Sequence, residues 1–522
     1  MSNGRHKSEG GIGRFLLGLN ERKCLLFLFA LFIILSISIE LIPYNPAIDL
    51  ADATTNDIWA DYYARGVYSI PYSDWHFGQT QSVVVNHSGQ YLVVNEKGPG
   101  HVMMMVPFNI IGVGFLFEPM MIAFAVFSTY MLGKRLINWR VGFLASILVL
   151  TNVTVLVMWY RYYWTDASTM HMLILSFWLV IESNYWLNGK SLYPHNKNRA
   201  SSRQLLIAVG LGVLAGLSFG LSVSTRYATA LIIIALLSYI LAFYLIRFWP
   251  SLKERRTLTG LKEARGILIL VGTFMLGLTI VLVPLIQYNS EYFGAPFKSG
   301  YDATLIFQFQ NNNESLTNRD TSGGWSADSG SMLSIAFSNF FALLPVLVSR
   351  MPGLILFPLA ILFIRKKPAL WFLPIWIVIN FFTYLSISWV DMYAGMPSEN
   401  LHEPRYWLPA VPPIAILAGL ALDRLIPWAI EKINSKRDSN PRKIKLGRTV
   451  LTIAIVAIIS LYGIIPAISY FADMEPGGAL SPGGKQPPKL PPPRQQQSIA
   501  QSQATSLALS AAFLVENRPW TA

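Results

Sequence analysis

The chain has 522 residues, of which 53% are hydrophobic and 13% charged, with 15 Trp, 23 Tyr and 30 Phe. Soluble domains carry about 25% charged residues, so this composition excludes a disordered protein, a coiled coil and a nucleic-acid-binding protein in water, and points to a polytopic membrane protein. The net charge of +13 belongs to the loops of such a protein, and the one cysteine, Cys24, excludes an intrachain disulfide and any Cys-based metal site.

Residues 1–23 form a basic N-terminus holding Arg5, Lys7, Arg14, Arg22 and Lys23. The run 24–43 that follows is apolar over about 20 residues, enough to cross a bilayer. It is too long for a signal-peptide core, and no small-x-small cleavage site follows. It therefore predicts an uncleaved first helix with a cytoplasmic N-terminus.

A long outer loop, 44–117, comes next. It is rich in acids (Asp49, Asp52, Asp57, Asp61 and Asp74). Within it, SVVVNHSGQYLVVN (82–95) places two β-rich runs around an Asn-His-Ser-Gly turn, which predicts a hairpin. The stretch 101–116 is apolar but short. Counting it as a span would put Lys134, Arg135 and Arg140 on the outer side, so it is expected to lie flat at the interface or half-inserted.

Further spans are predicted near 118–134, 141–158, 167–187, 204–224, 227–247, 267–287, 351–364, 369–389, 407–426 and 450–471, about eleven in all. With this count the cytoplasmic segments hold 29 of the 41 Lys and Arg, as the positive-inside rule requires. A second long outer loop runs over 288–350, where 333–349 is again expected to lie flat. Asn86-His87-Ser88 and Asn313-Glu314-Ser315 are glycosylation sequons in the two loops. The tail 472–522, rich in Pro, Gln and Gly, reads as a disordered outer extension. The fold class is thus an all-α polytopic membrane protein, one transmembrane module over 24–471, with juxtamembrane helices and a small hairpin in its outer loops.

The acidic first loop suits chemistry on a lipid-borne substrate at the membrane surface. Here motifs accumulate. Asp57-Ile-Trp-Ala-Asp61-Tyr62-Tyr63-Ala64-Arg65 resembles the Asp…Tyr…Arg pattern after the first helix of GT-C-type glycosyltransferases. This class includes protein O-mannosyltransferases and the lipid A aminoarabinose transferase. The segments HSGQYLVVNEKGPGHVMMMVPF (87–108), GKRLINWRVGFLASILVL (133–150), YRYYWTDAS (160–168), STRYATALIII (224–234), YNSEYFGAPFKSGY (288–301) and EPRYWLPAVPP (403–413) resemble segments of its bacterial and archaeal members, in family order. The resemblance covers roughly residues 20–430. The chain departs from the pattern at Asp57-Ile58, where an Asp-Glu pair is common, and at Gly98-Pro99-Gly100, where Pro-Pro-Gly is usual; residues 472–522 are not expected to form the large C-terminal outer domain of some members.

The resemblance implies transfer of a sugar from a polyprenyl- or dolichyl-phosphate donor to a protein, glycolipid or glycan acceptor, on the extracytoplasmic side of the cell membrane and without nucleic acid. It makes Asp57 the candidate base, with Asp61 and Asp52 as alternatives in the same loop, and Asp166 a second catalytic carboxylate. Asp166 could equally cap a helix. Arg226 and Arg405 are the candidate donor-phosphate ligands, with Lys97 and Arg161 behind them, because guanidinium groups bind phosphate bidentately. Tyr62, Arg65, His101 and Tyr301 would line the substrate cavity. Asp57 and Asp166 could hold Mg²⁺ or Mn²⁺, which favour oxygen ligands. His76, His87, His101, His171 and His402 show no metal spacing. The competing reading is a secondary transporter or lipid flippase. Against it, no internal repeat is visible, and the charges within spans (Glu40, Glu118, Glu182, Asp423) lie near their ends. A structural membrane subunit is a third, weaker reading.

Overall fold

The computed structural model describes residues 20–40, 52–74, 82–160, 165–188, 201–253, 257–300, 329–385, 403–434 and most of 450–468. Arg161, Tyr301, His76, His402, the second sequon and the tail 472–522 lie outside them, as do the side chains of Asp52 and Arg405.

Among the described residues, seven helices are long and apolar enough to cross a membrane, or nine if each of two bent helix pairs is one span. The first is α1 (Glu21–Glu40). Behind it come α2 (Asp52–Ala64), α3 (Gly100–Ile110) and α4 (Phe117–Leu136). The predicted span at 141–158 is broken. It forms α5 (Trp139–Leu150) and α6 (Val153–Tyr160), bent by 56° at Thr151-Asn152. Asn152 causes and seals the break. Its side-chain oxygen accepts from the Thr154 and Val155 N–H groups at 3.0 and 3.2 Å, capping α6.

Next is α7 (Thr165–Leu187), which is too polar to rank among the seven candidates. Its polar groups are tolerable because neighbouring helices enclose and satisfy them. Ser176 and Ser183 donate to the carbonyls of Ala215 and Ala208 at 2.9 and 2.7 Å. Glu182 accepts two bonds from Arg135, at 2.6 and 2.7 Å. These partners lie on α8 (Ser202–Thr225) and α4. A capping box at Ser201 and Gln204 starts α8. A 3₁₀ turn, Tyr227–Ile232, then leads into α9 (Ile233–Lys253).

The long α10 (Thr257–Phe293) packs with its backbone touching α8: a Cβ on Gly216 would sit 2.0 Å from the Phe274 carbonyl oxygen. The second bent pair joins α11 (Ser329–Arg350), through Pro352–Leu356, to α12 (Phe357–Ile364); the bend between Leu343–Arg350 and Pro352–Ile364 is 102°. The stretch predicted to lie flat before the eighth span is thus sharply angled to it. The bundle closes with α13 (Phe372–Leu385) and α14 (Val411–Asn434), the latter entered through a 3₁₀ segment, Glu403–Ala410. Its core is continuous, with Trp376 stacked on Phe177 at 4.1 Å.

The predicted hairpin is present as β2 (Ser82–His87) and β3 (Gln90–Asn95), pairing His87 with Gln90. Ser88 and Gly89 both adopt positive φ, +53° and +84°, the two left-handed positions of a tight hairpin turn. A third strand, β1 (Ile70–Pro71), joins β3 and was not foreseen, being two residues long. One face of this sheet packs on Trp59 and Tyr63 of α2 and Val102 of α3. The other covers Tyr292 and Phe293 at the end of α10. With 11 residues, α3 is about 16 Å long, too short to cross a bilayer.

Candidate active site

Asp166 sits in the first turn of α7, where a carboxylate meets the positive end of the helix dipole. Arg226 is the residue at which α8 ends, in extended conformation. Its guanidinium donates to Asp166 Oδ2 at 2.8 Å. Both side chains are largely withdrawn from solvent, 2% exposed for Asp166 and 14% for Arg226. The Tyr406 ring covers the guanidinium, 5.4 Å from ring centre to Cζ, and Tyr384 stacks on Tyr406 at 5.3 Å. The Asn380 amide donates to the Tyr406 carbonyl at 3.4 Å, fixing this ring from behind. Two residues predicted separately, Asp166 and Arg226, are therefore in contact. Tyr406 was not foreseen; its only signal was adjacency to Arg405 in EPRYW.

A strap from the first loop closes against the same point. Residues 98–100 lie on the last turn of α8: a Cβ on Gly98 would be 1.9 Å from the Ser224 carbonyl oxygen, and one on Gly100 would be 2.8 Å from that of Leu221. Only glycine permits this approach. The strap carries Lys97, which is buried, and whose N–H is accepted by Asn95 Oδ1 at 3.0 Å. It also carries His101, the second residue of α3. His101 Nδ1 lies 2.8 Å from Ser168 Oγ, two residues along from Asp166, and its ring meets the edge of Phe117. His171, buried one turn further along α7, lies near His101, and neither of its ring nitrogens has a hydrogen-bond partner among the described residues. Neither Ser168 nor His171 was singled out as a site residue.

The segment 288–300 braces the arrangement. Tyr227 donates to Asn289 at 3.1 Å, and the Asn289 amide donates to the Pro296 carbonyl at 3.3 Å. A Cβ on Gly300 would fall 2.2 Å from the Glu96 carbonyl oxygen, so this stretch touches the base of the strap. His87 Nδ1 donates to the Glu291 carbonyl at 3.2 Å.

Asp57 and Asp61 stand one turn apart on α2, a helix that packs on α3. Asp57 is half-buried. Asp61 accepts from the Asn109 amide at 3.3 Å. Tyr62 is half-buried, and desolvation raises its phenol above the usual value; Arg65 lies beyond the helix end and is exposed. Tyr63, fully enclosed, donates to Tyr288 at 3.4 Å and is likewise pushed up by burial. Arg405 lies in the 3₁₀ segment ahead of α14, next to Tyr406. Among the described residues, no three or more His, Cys, Asp or Glu side chains converge on one point as a metal site.

No protein-family model matches the chain, and no curated protein matches it. Among solved structures it is similar to ArnT from Cupriavidus metallidurans in the apo state, with 15% identity and a TM-score of 0.46, over 86% of this chain and 75% of that one. The same protein bound to undecaprenyl phosphate gives 16% identity and a TM-score of 0.44, over 86% and 76%. The archaeal oligosaccharyltransferase AglB from Archaeoglobus fulgidus, in complex with an inhibitory peptide and a dolichol-phosphate, gives 15% identity and a TM-score of 0.45, over 86% of this chain and 55% of that one. Likeness at this level assigns neither an activity nor a residue role to this chain.

Proposed function

We propose that this protein is a membrane glycosyltransferase that moves a sugar from a polyprenyl- or dolichyl-phosphate donor to an acceptor at the extracytoplasmic face. The observation that carries this reading is the meeting of Asp166, Arg226, Tyr406 and the Gly98–Gly100 strap at one point. Five motif segments, separate in sequence, supply the groups around it: 87–108, 160–168, 224–234, 288–301 and 403–413.

The chemistry follows from the residue types. Asp57 takes the proton of the acceptor hydroxyl or amine as that atom attacks the anomeric carbon. The bond from this carbon to the phosphate oxygen breaks, and its electron pair leaves with the lipid phosphate, inverting the centre. Arg226 neutralises the charge that develops there, through N–H donors held in place beforehand by Asp166 and Tyr406. Lys97 and Arg405 support it, and Arg161 is a further phosphate ligand in this reading. Tyr62, Arg65, His101 and Tyr301 line the cavity. A divalent cation held by Asp57 and Asp166 would screen the same charge.

Sugar transfer in membranes supplied with radiolabelled polyprenyl-phosphate sugars tests the proposal. Labelled acceptor is the expected product. The two broken spans favour a transporter as the second reading; uptake of label without transfer would support it instead.

A further inference from the structure

The two broken spans break at the same place. The Asn152 amide, at the bend between α5 and α6, donates to the carbonyl of Arg350, the last residue of α11, at 2.9 Å. The helical residues 460–468 cover this junction: Ser460 lies 3.4 Å from Thr151 Oγ1, and a Cβ on Gly463 would fall 1.9 Å from the Thr151 carbonyl oxygen. A small cavity opens between the two breaks, lined by Leu148, Asn152, Met351, Gly353 and Ile414 among others.

With both basic clusters at the cytoplasmic edge, as the positive-inside rule expects, helix lengths bound the depth of this junction. From the basic cluster Lys134–Arg140, α5 climbs 12 residues, about 18 Å. From the basic cluster Arg365–Lys367, the stretch Pro352–Ile364 climbs about 20 Å. The hydrocarbon core is about 30 Å thick. Both routes place the junction roughly 10 Å short of the opposite edge of the core, within reach of that leaflet's headgroups for a long side chain. The Asp166 site lies beyond it, past the 8 residues of α6.

Arg350 therefore carries a guanidinium at apolar depth. A charge there is costly unless paired. Among the described residues no carboxylate forms an ion pair with it, in contrast to Arg135 and Arg226. Its Nε is buried and has no acceptor. The Tyr462 phenol lies near it and cannot neutralise it.

We infer that Arg350 and the Thr151-Asn152 break form a binding site for the phosphate of a membrane lipid, separate from the Asp166–Arg226 site. A phosphate oxygen supplies the acceptor the guanidinium lacks, and the lipid chain runs down the apolar wall at the bend of α11. The inference does not depend on the glycosyltransferase reading. The phosphate could belong to a bulk phospholipid or to an isoprenoid phosphate, since both present the same oxygens.

The test is lipid retention by the full chain in phosphatidylcholine nanodiscs doped with phosphatidylglycerol or, separately, with undecaprenyl phosphate, read by native mass spectrometry. Arg350→Gln is expected to lower the apparent affinity for one of them by roughly 10–100-fold, the range of a charge-assisted hydrogen bond. The lipid affected identifies the source. Arg226→Gln is expected to leave that component intact. Equal retention by the wild type and Arg350→Gln for both lipids overturns the inference, as does retention lost only in Arg226→Gln. Should Arg350→Gln fail to fold, photolabelling of the wild type with a phosphatidylglycerol and an undecaprenyl phosphate bearing headgroup diazirines decides. Adducts within 343–356 support the site, and labelling confined elsewhere removes it.

Discussion

Arg226 donates to Asp166 across 2.8 Å, joining the end of one helix to the first turn of its neighbour beneath the ring of Tyr406. Removing one partner of such a buried pair leaves a desolvated charge, at a cost of about 3–5 kcal/mol. Asp166→Ala is therefore expected to lower the thermal unfolding temperature in detergent markedly. The double variant Asp166→Asn with Arg226→Gln should lose less than the sum of the single losses. Strictly additive losses would show that the two groups do not share their stabilisation.

Asp57 is half-buried on α2. Asp57→Asn keeps the shape of the side chain and removes its basicity. If Asp57 is the base, transfer should fall by roughly 10²–10⁴-fold with donor binding retained. Asp61→Asn and Asp52→Asn in parallel report on local charge. Near-normal transfer by Asp57→Asn, with loss in a neighbour, would move the base to that neighbour.

Gly98 faces a backbone carbonyl, which cannot swing aside as a flexible side chain would. Gly98→Ala is expected to displace the strap and cost about 1–3 kcal/mol, the usual penalty of overpacking. Because the strap carries Lys97, donor binding should weaken along with stability. A variant with unchanged melting and unchanged donor affinity would separate the strap from the site.

Asn152→Ala removes the acceptor at the start of α6 and the donor to Arg350. A lost cap costs about 1 kcal/mol and a lost hydrogen bond about as much again. A drop of about 2 kcal/mol in unfolding free energy is expected. Asn152→Ser, whose hydroxyl can still cap α6 but is too short to reach the Arg350 carbonyl, should recover roughly half.

Burial raises the Tyr63 phenol above its usual value of 10.0, so the folded chain holds that proton more tightly than the unfolded one. The stabilisation is complete below pH 10 and is lost as pH climbs through the raised value. Near-UV circular dichroism should show the contact between α2 and α10 failing at alkaline pH, and Tyr63→Phe should move that failure upward. An alkaline limit unmoved by the substitution would place the sensitive group elsewhere.

The sequence made some features plain and hid others for physical reasons. The hairpin at 82–95 was readable because alternation and turn chemistry are local. The helix over 167–187 was readable too, although Asp166, Ser176, Glu182 and Asn184 dilute its apolarity; only the structure shows the groups that satisfy them. The break at Thr151-Asn152 was hidden inside an apolar run whose mean hydropathy gives no sign of a bend. Asp166 and Arg226 were each singled out by motif, but periodicity along the chain says nothing of contacts across it, so their pairing was not foreseen. Tyr406, Ser168 and His171 escaped for the same reason: each gains its role from what the tertiary fold sets beside it.

α8, begun by the capping box at Ser201, packs along α7, the helix before it, so that Asp166 and Arg226 meet at adjacent ends of the pair. The carboxylate thus finds its partner at the end of the helix directly after its own. Each charge cancels the other within a single pair of consecutive helices, and needs neither α9 nor any later segment to do so. A buried charge pair at the candidate site is thus closed by two neighbouring stretches of sequence, and the Tyr406 ring, from far along the chain, only covers a bond those two helices make between themselves.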